Sequence, residues 1–318
     1  MSQVSILGSG NVGANTAFFI AETGIEDVIL YDIQEGLATG KTLDLMEAAP
    51  IRKYRNRLSG ATALGEIAGS QVVVLAAGRV RKPGMKREDL LQENSRLVDE
   101  LAPEVARLAP EAVVIVATEP VDPITRRFAR RSGFPRNRVL GVGGCLDATR
   151  LRFAIARELG VSTENVSALV IGRHSDSMLV LPRYCSVSGV PLTQLLPAER
   201  IAALARETAG AGDLIVQMAQ HSSAYYAPSA AVADLVDAVH MDLGRVLCVS
   251  LLLEGEYGLR DVALSLPAVI GREGVRRVFL PHLSAEEQAV LEHSARELAA
   301  LAASSGDSEG RGGRGGAA

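Results

Sequence analysis

The chain has 318 residues, of which 47% are hydrophobic and 22% charged, and its formal net charge is −4. This length favours two domains over one, and the slightly acidic balance argues against a nucleic-acid partner. No apolar run reaches the roughly 18 residues of a membrane span and no signal peptide is visible, so we expect a cytoplasmic protein without a membrane partner. The cysteines Cys145, Cys185 and Cys248 have no metal-ligand spacing, so we expect free thiols and no metal site.

The chain opens with a predicted strand, helix and strand. Residues 4–7 and 28–31 are short apolar runs, and residues 14–22 between them have helical character. Similar apolar runs recur at residues 72–75 and 113–116. Because these runs are continuous rather than alternating, they are typical of strands buried on both faces, as in a parallel sheet. The first half is therefore predicted to be a doubly wound α/β domain.

A glycine-rich turn, Gly8-Ser-Gly-Asn-Val-Gly13, follows the first predicted strand and opens the first helix. In such a turn Gly8 permits the tight bend, Gly10 lets the backbone approach a pyrophosphate, and Gly13 lets helix and strand pack closely. The helix N-terminus offers N–H groups to the anion. Asp32 ends the second strand, where its carboxylate would bind ribose hydroxyls and repel a 2′-phosphate. The motif predicts NAD, rather than NADP, as the cofactor.

A basic loop follows the apolar run at residues 72–75. Its sequence is Arg81-Lys-Pro-Gly-Met-Lys-Arg87, in which proline and glycine break any regular element. Arginine stays charged at any working pH and presents a planar fork that matches a carboxylate. A basic loop by itself is more often a solvated turn. Together with the glycine turn and the residues described next, it predicts a loop that closes over a small dianion.

The pattern changes near residue 144 to longer helices with short strands. Helices are predicted over residues 147–159 and within 198–241, with a strand at 166–171 between them. We therefore predict a first domain over residues 1–143 and a second, α+β domain over residues 144–303.

The last segment, residues 304–318, is small and polar and is predicted to be a disordered tail, because it cannot bury enough apolar surface to offset the ordering entropy. Its Arg-Gly-Gly repeats could touch RNA, but a solvating tail is the favoured interpretation.

His174 is the candidate for proton transfer. Proton transfer coupled to hydride transfer needs an imidazole that titrates near neutrality, and His174 stands in a turn-like setting just after an apolar strand. Asp147 and Arg150 share one face at the start of a helix. Asp147 would orient the ring and favour its protonated form, and Arg150 could grip a substrate carboxylate. Each residue alone is more often structural, and only the joint pattern predicts an active site.

Several motifs together resemble those of the lactate and malate dehydrogenases, in particular the malate dehydrogenases of the branch similar to lactate dehydrogenase. The resemblance runs from about Val4 to about Ser294 and implies a Rossmann-type doubly wound parallel sheet with a second α+β substrate domain. The motifs are Gly8-Ser-Gly-Asn-Val-Gly13, Ala77-Gly78, Arg81 to Arg87 with Asp89-Leu-Leu91, Gly144-Cys-Leu-Asp147 with Arg150, His174 with Asp176, Leu181-Pro-Arg-Tyr184, Ser223-Ala-Tyr-Tyr-Ala-Pro228 and Glu254-Gly-Glu-Tyr-Gly258.

The resemblance implies a role for each catalytic and substrate-binding residue. His174 would be the acid/base at the substrate oxygen, and Asp147 its orienting partner. Arg150 would hold the carboxylate next to the reacting carbon, and Arg87 would polarise the carbonyl. Arg81 would select the substrate by pairing with the second carboxylate of malate or oxaloacetate.

The resemblance also implies the cofactor contacts and an assembly. Glu119 is expected to face both substrate and cofactor. We expect a homodimer or homotetramer with helices of the first domain and of the 198–241 region as contacts. The residues expected to contact NAD are Gly8, Gly10, Asn11, Val12, Gly13, Asp32, Ala77, Gly78, Asn94 and Glu119.

The chain departs from the family pattern close to the expected site. The family has Asn-Pro-Val-Asp where this chain has Glu119-Pro-Val-Asp122, and an ionised glutamate can only accept hydrogen bonds. Arg173 and Ser175 flank the histidine, the latter in place of glycine, and Ser222 also stands where glycine is expected. We hypothesise that Glu119 and Arg173 form a compensating ion pair.

The function that these residues imply is the NAD-dependent interconversion of malate and oxaloacetate. A lactate or other 2-hydroxy-acid dehydrogenase is the alternative within the same class, and Arg81 disfavours it. A weakly catalytic NAD-binding protein is the alternative from another class, and Glu119 and Ser175 are the residues that favour it.

Overall fold

The computed structural model describes residues 3–24, 26–79, 87–220 and 223–304, without the side chains of Arg87, Glu88 and Ser304. Four predictions therefore lie outside the described residues: the side-chain positions of Arg81, Arg87 and Ser222, and the tail beyond residue 304.

The first half alternates strands and helices, and its strands pair in parallel. Strands 72–75 and 113–116 are buried at every position, because helices cover both faces of the sheet, as their continuous apolar sequences predict. The elements are β1 (Gln3–Leu7), α1 (Asn11–Thr23), β2 (Asp27–Tyr31), α2 (Leu37–Arg52), β3 (Leu58–Ala61), β4 (Val72–Leu75), α3 (Arg87–Leu108), β5 (Val113–Val116), α4 (Val121–Ser132) and β6 (Val139–Gly141).

The second half has longer helices and two small sheets besides a long antiparallel hairpin. Its elements are α5 (Gly143–Leu159), β7 (Val166–Ser167), β8 (Val170–Ile171), β9 (Leu179–Val180), β10 (Ser186–Val187), β11 (Val190–Pro191), α6 (Leu192–Leu195), α7 (Ala198–Ala219), α8 (Tyr226–His240), β12 (Arg245–Glu254), β13 (Arg260–Gly271), β14 (Gly274–Val278) and α9 (Ala285–Ser304). Among the described helices, none is both long and apolar enough to cross a bilayer.

The main sheet has nine strands in the order β14-β13-β12-β6-β5-β4-β1-β2-β3. Strands β1 to β6 form the doubly wound parallel part, which confirms the predicted fold class. Strands β12 to β14 extend it in antiparallel fashion, and Ser250 of β12 pairs with Gly141 of β6. The predicted boundary between residues 143 and 144 falls in the first residues of α5. The division into two domains there remains a prediction.

Two predicted elements are divided in the structure. The strand predicted over residues 166–171 is two separate strands, because β7 pairs with β10 whereas β8 pairs with β9 in a different sheet. The helical stretch 198–241 is likewise divided into α7 and α8. Helix α7 ends because Gln220 adopts a positive φ of 55°, a conformation that an α-helix cannot continue.

The carboxyl ends of the parallel strands lie along one edge of the sheet. At this edge the strand order reverses direction between β1 and β4, which is where open α/β sheets bind their ligands. The turns after β1, β2, β4 and β5 and the start of α5 therefore converge on one cleft.

Candidate active site

The glycine turn after β1 has the shape that its sequence predicts. Gly8 has φ +101°, and a Cβ atom there would lie 2.5 Å from the backbone nitrogen of Ala77. A Cβ atom at Gly13 would lie 1.9 Å from the carbonyl oxygen of Gly8. At Gly10, in contrast, a Cβ atom would meet no described atom within 4 Å. Gly8 and Gly13 are thus required by the protein's own packing, whereas Gly10 leaves open space in front of the helix.

Helix α1 presents its N-terminus to this open space. The first intrahelical bond runs from the Ala14 N–H to the Gly10 carbonyl at 3.0 Å, and Gly10 has no side chain with which to cap the helix. The N–H groups of Asn11, Val12 and Gly13 precede that first bond, and the first turn contains no acidic residue. Such a helix end attracts anions through its N–H groups and its dipole. The turn therefore fits the pyrophosphate of a dinucleotide.

Asp32 lies at the end of β2 beside the same turn. Its Oδ2 accepts hydrogen bonds from the Ser9 N–H at 2.8 Å and the Ser9 hydroxyl at 2.7 Å, and its Oδ1 accepts from the Gln34 N–H at 3.0 Å. Partial burial opposes its ionisation, but these hydrogen bonds and the charge of Lys41 hold the pKa of Asp32 below its usual value. Lys41 also donates to the Ser9 carbonyl at 2.6 Å. Asp32 is thus an ionised carboxylate, as an adenosine ribose requires.

Ala77 and Gly78 follow β4 and line the cleft. Gly78 has φ +150°, and a Cβ atom there would lie 2.9 Å from Asn94 Oδ1. Asn94 is only 1% exposed. Its Oδ1 accepts from the Arg79 N–H at 2.8 Å and its Nδ2 donates to the Glu119 carbonyl at 2.6 Å. Both ends of this amide are engaged by backbone, which favours a positioning role over the predicted direct contact with the cofactor.

His174 and Asp147 are brought together as predicted. The His174 Nδ1 lies 2.8 Å from Asp147 Oδ2, and Asp147 is buried near the start of α5. The glycines that open α5 make this approach possible, since a Cβ atom at Gly143 would lie 2.9 Å from the His174 Cβ.

The backbone of His174 is held by Asp122, which the sequence did not single out as a site residue. The His174 N–H donates to Asp122 Oδ2 at 2.7 Å, and the Ser250 hydroxyl donates to Asp122 Oδ1 at 2.6 Å. Burial raises the pKa of Asp122 to about 6. An acid in the first turn of α4, two residues after Pro120, was the available signal, but nothing in the sequence indicates Ser250 as its partner.

Arg150 lies one helical turn beyond Asp147 and lines the cleft. Its Nη1 is 4.0 Å from Asp147 Oδ1, and its side chain is largely buried. Helix α7 passes beside it: a Cβ atom at Gly212 would lie 3.7 Å from the Arg150 Nη2. Its guanidinium is therefore placed to meet an anion in the cleft.

The proposed ion pair between Glu119 and Arg173 is wrong. Arg173 Nη1 instead contacts Glu297 Oε2 of helix α9 at 2.7 Å. Glu119 Oε1 lies 3.4 Å from His174 Nε2, and the Glu119 side chain is 51% exposed. The two side chains point in different directions. Glu119 follows β5 and faces the imidazole, whereas Arg173 precedes the histidine and turns toward α9.

The imidazole of His174 thus stands between two carboxylates. Burial alone would favour the neutral ring, but the charges of Asp147 and Glu119 hold the pKa of His174 well above its usual value. The surroundings of Glu119 disfavour its charge, but His174, the Val121 N–H and Arg150 hold its pKa below its usual value. The ring is therefore protonated and Glu119 ionised at neutral pH.

The cleft encloses about 400 Å³ and is lined from both halves of the chain. Ser175 also lines it, and its hydroxyl lies 2.9 Å from that of Ser177, so the replacement for glycine is accommodated by a local hydrogen bond. Of the sequence-predicted site residues, the structure brings together the cofactor turn with Asp32, and His174 with Asp147, Arg150 and Glu119.

Comparison with known proteins covers nearly the whole chain. The profile of the lactate/malate dehydrogenase NAD binding domain matches residues 2–141, and that of the lactate/malate dehydrogenase alpha/beta C-terminal domain matches residues 145–305. The malate dehydrogenase of Thermomicrobium roseum is 45% identical over 299 residues, which cover 94% of this chain and 96% of that protein. The malate dehydrogenase of Desulforudis audaxviator is 42% identical, with 92% and 94% covered.

Solved structures agree with this likeness. The apo malate dehydrogenase of Picrophilus torridus superposes with a TM-score of 0.92 at 34% identity, covering 96% of this chain and 98% of that one. The lactate dehydrogenase of Cryptosporidium parvum, complexed with lactic acid and nicotinamide adenine dinucleotide, also has a TM-score of 0.92, at 32% identity with 97% and 99% covered.

Proposed function

The chain belongs to the lactate/malate dehydrogenase family, and we propose on that premise that it catalyses the NAD-dependent interconversion of (S)-malate and oxaloacetate. The observation that carries the proposal is the pair of His174 and Asp147, joined at 2.8 Å through Nδ1. This pair turns the second ring nitrogen toward a cleft that Arg150 also lines.

The residues at the glycine turn fit NAD. The N–H groups of Asn11 and Val12 and the open space at Gly10 would receive the pyrophosphate, and Asp32 the adenosine ribose. When bound, NAD supplies the nicotinamide ring that accepts or donates a hydride at the reacting carbon. Ala77 and Gly78 lie on the wall of the same cleft as His174, and Ala77 packs against Gly8 of the turn.

His174 moves the proton. During reduction, the protonated Nε2 would donate its proton to the ketone oxygen, and during oxidation the neutral ring would accept the hydroxyl proton. Asp147 holds Nδ1 and stabilises the imidazolium, so the ring keeps the tautomer and orientation that the transfer needs. Because the pKa of His174 is raised, its protonated form persists above neutral pH, and this is the form that would donate the proton to oxaloacetate.

The arginines distinguish one 2-oxo acid from another. Arg150 would bind the carboxylate beside the reacting carbon, Arg87 would polarise the carbonyl, and Arg81 would pair with the second carboxylate. Over pyruvate, the desolvated charge of Arg81 would face a methyl group without a partner. Such mismatches discriminate between substrates by factors of about 10⁴ or more.

The test is NADH oxidation measured in parallel with oxaloacetate and with pyruvate. We expect oxaloacetate to be preferred, and Arg81→Gln to lose most of that preference. Lys82→Gln removes a neighbouring charge from the same loop and should keep it. Faster turnover of pyruvate by the unaltered enzyme would refute the proposal, and an unchanged ratio in Arg81→Gln would remove Arg81 from it.

A homodimer or homotetramer is part of the proposal. Large apolar side chains are exposed on α2 and on α7, among them Leu43 at 60%, Ile51 at 82% and Met218 at 74%. Exposed apolar residues grouped on helices favour burial in an interface. Light scattering coupled to size-exclusion chromatography measures the assembly directly, and a monomer at micromolar concentration would contradict it.

A further inference from the structure

The contact between Glu119 and His174 occupies the atom that the proposed reaction uses. We propose that Glu119 competes with the substrate for the proton-donating nitrogen of His174 and so weakens substrate binding, an inference that rests on the proposed function. Glu119 Oε1 lies 3.4 Å from Nε2, on the side of the ring from which the C2 oxygen of the substrate must approach.

The Glu119 carboxylate and the substrate oxygen cannot both bind Nε2 of His174. A protonated imidazole has one N–H on each nitrogen, and Asp147 Oδ2 already takes Nδ1 at 2.8 Å. The single Nε2–H can therefore point at the Glu119 carboxylate or at the substrate oxygen. At 3.4 Å the Glu119 carboxylate makes an ion-pair contact with Nε2, and the substrate oxygen needs to come within about 3.2 Å of the same nitrogen for a good hydrogen bond, so the substrate has to displace the carboxylate.

Displacement needs only a side-chain rotation. The backbone at Glu119 is fixed, because its carbonyl accepts from the buried Asn94 amide at 2.6 Å. The side chain itself is 51% exposed and lines the cleft, so the carboxylate has room to turn away from the ring. The Glu119 carboxylate can therefore move away from the imidazole while the backbone that follows β5 stays in place.

Charge strengthens the competition. An ionised Glu119 repels a dianionic substrate as well as occupying Nε2, and its pKa lies below the usual value, so it is ionised throughout the neutral range. The other charged groups that line the cleft on the described residues are Arg79 after β4, Asp122 of α4, Asp147 and Arg150 of α5, Arg173 and Asp176 beside the histidine, and Asp213 of α7. Displacing Glu119 therefore weakens substrate binding and leaves the chemical step unaffected, because the carboxylate no longer contacts Nε2 once the substrate is bound.

The first test separates KM from kcat. Glu119→Gln keeps the shape and removes the charge, and Glu119→Asn also shortens the side chain. For oxaloacetate reduction at pH 7, we expect KM to fall by about tenfold in both variants, from the loss of a charge-assisted contact and of repulsion. We expect kcat to change by less than about threefold. Glu111→Gln, on a surface carboxylate that pairs with Arg138, is the matched control and should change neither constant.

Two further readouts are independent of turnover. Oxaloacetate cannot react in the enzyme–NAD⁺ complex, so calorimetry gives its dissociation constant, which should fall by about tenfold in Glu119→Gln. With ring-labelled histidine, the NMR titration of His174, assigned with His174→Asn, should move to lower pH by about one unit in the same variant.

The outcomes distinguish this inference from the proposed function. Failure of the unaltered enzyme to reduce oxaloacetate would refute the proposed function, while the NMR titration, which needs no substrate, still decides whether Glu119 acts on the His174 ring. An unchanged dissociation constant and titration in Glu119→Gln would overturn the competition. A collapse of kcat with KM unchanged would overturn it as well, because it would place Glu119 in the transition state.

Discussion

The two ends of the cleft are built in different ways. At the proposed cofactor end, the turn from Gly8 to Gly13 would bind through backbone groups, and its shape depends on which residues lack a Cβ atom. At the proposed substrate end, the chemistry depends on side chains from separate elements. His174 follows β8, Asp147 lies near the start of α5, and Glu119 follows β5. The cofactor end retains the pattern of its family, and the substrate end carries the departures.

The difference between the two ends of the cleft shows at which kind of site a substitution changes the chemistry. A backbone site tolerates almost any side chain that points away from it, but it fails when a Cβ atom is added at a contact. A side-chain site can accept a new residue without losing its fold, and the new residue then finds a different partner. Glu119 illustrates the second case, because it contacts the imidazole of His174 instead of pairing with Arg173.

The largest effect is expected at the substrate end, from His174→Asn. Loss of the acid/base should lower kcat for oxaloacetate by about 10³-fold. The dissociation constant of NADH, measured by fluorescence titration, should stay within about twofold, because the glycine turn is separate from the imidazole. Retained turnover would contradict the assignment of proton transfer to His174 and of cofactor binding to the glycine turn.

A pair of glycine variants tests the cofactor end. In Gly13→Ala the added Cβ meets the Gly8 carbonyl oxygen at 1.9 Å, so we expect the melting temperature of the cofactor-free protein to fall by roughly 5 °C or more. Gly10→Ala is the matched control: its Cβ meets nothing described within 4 Å, so the melting temperature should hold while NADH binding weakens by about tenfold. Equal melting temperatures for both variants would contradict the assigned roles.

The Asp122→Asn variant tests how much Asp122, which accepts from the His174 N–H, contributes to the stability of the fold. Burial raises the pKa of Asp122 in the folded protein to about 6, above its usual value of 3.8. Its contribution to stability is therefore present below pH 4 and lost as pH rises through 6. An asparagine can still accept from the His174 N–H and donate to Ser250. Relative to the unaltered protein, the variant should gain stability between pH 5 and pH 8, by about 2 kcal/mol at most, as denaturant unfolding at the two pH values would measure. A difference that does not vary with pH would show that Asp122 is ionised throughout.

Asp32→Asn should have the smallest effect. The amide keeps the size of the side chain but removes the charge that repels a 2′-phosphate. We expect the preference for NADH over NADPH, expressed as a ratio of kcat/KM, to fall by about tenfold. A ratio that stays constant would mean that Lys41 or the shape of the turn, and not Asp32, selects the cofactor.

The elements that the sequence predicts well are those whose signal is local. Strands β1, β2, β4 and β5 are continuous apolar runs, and the glycine turn is defined within six consecutive residues. The antiparallel extension through β12 was not predicted, because strand pairing across most of the chain leaves no local pattern. The joining of β7 and β8 into one predicted strand failed for the same reason.

Within the site, the contact between His174 and Asp147 could be predicted because the chemistry requires it. The bond from Ser250 to Asp122 could not, because the two residues lie 128 positions apart. The pairing of Glu119 with Arg173 was inferred from opposite charge alone. Charge says which residues attract each other, but the direction of the backbone at each position decides which of them meet.

Asn94 has a consequence for how the cleft responds to a ligand. Its amide bonds the backbone at Arg79, where the described chain enters the basic loop, and the backbone at Glu119, beside the imidazole. One buried side chain is thus the common pivot of the two segments. A displacement of either backbone segment would therefore strain a hydrogen bond to the same buried amide, which ties the position of Arg79 to that of Glu119.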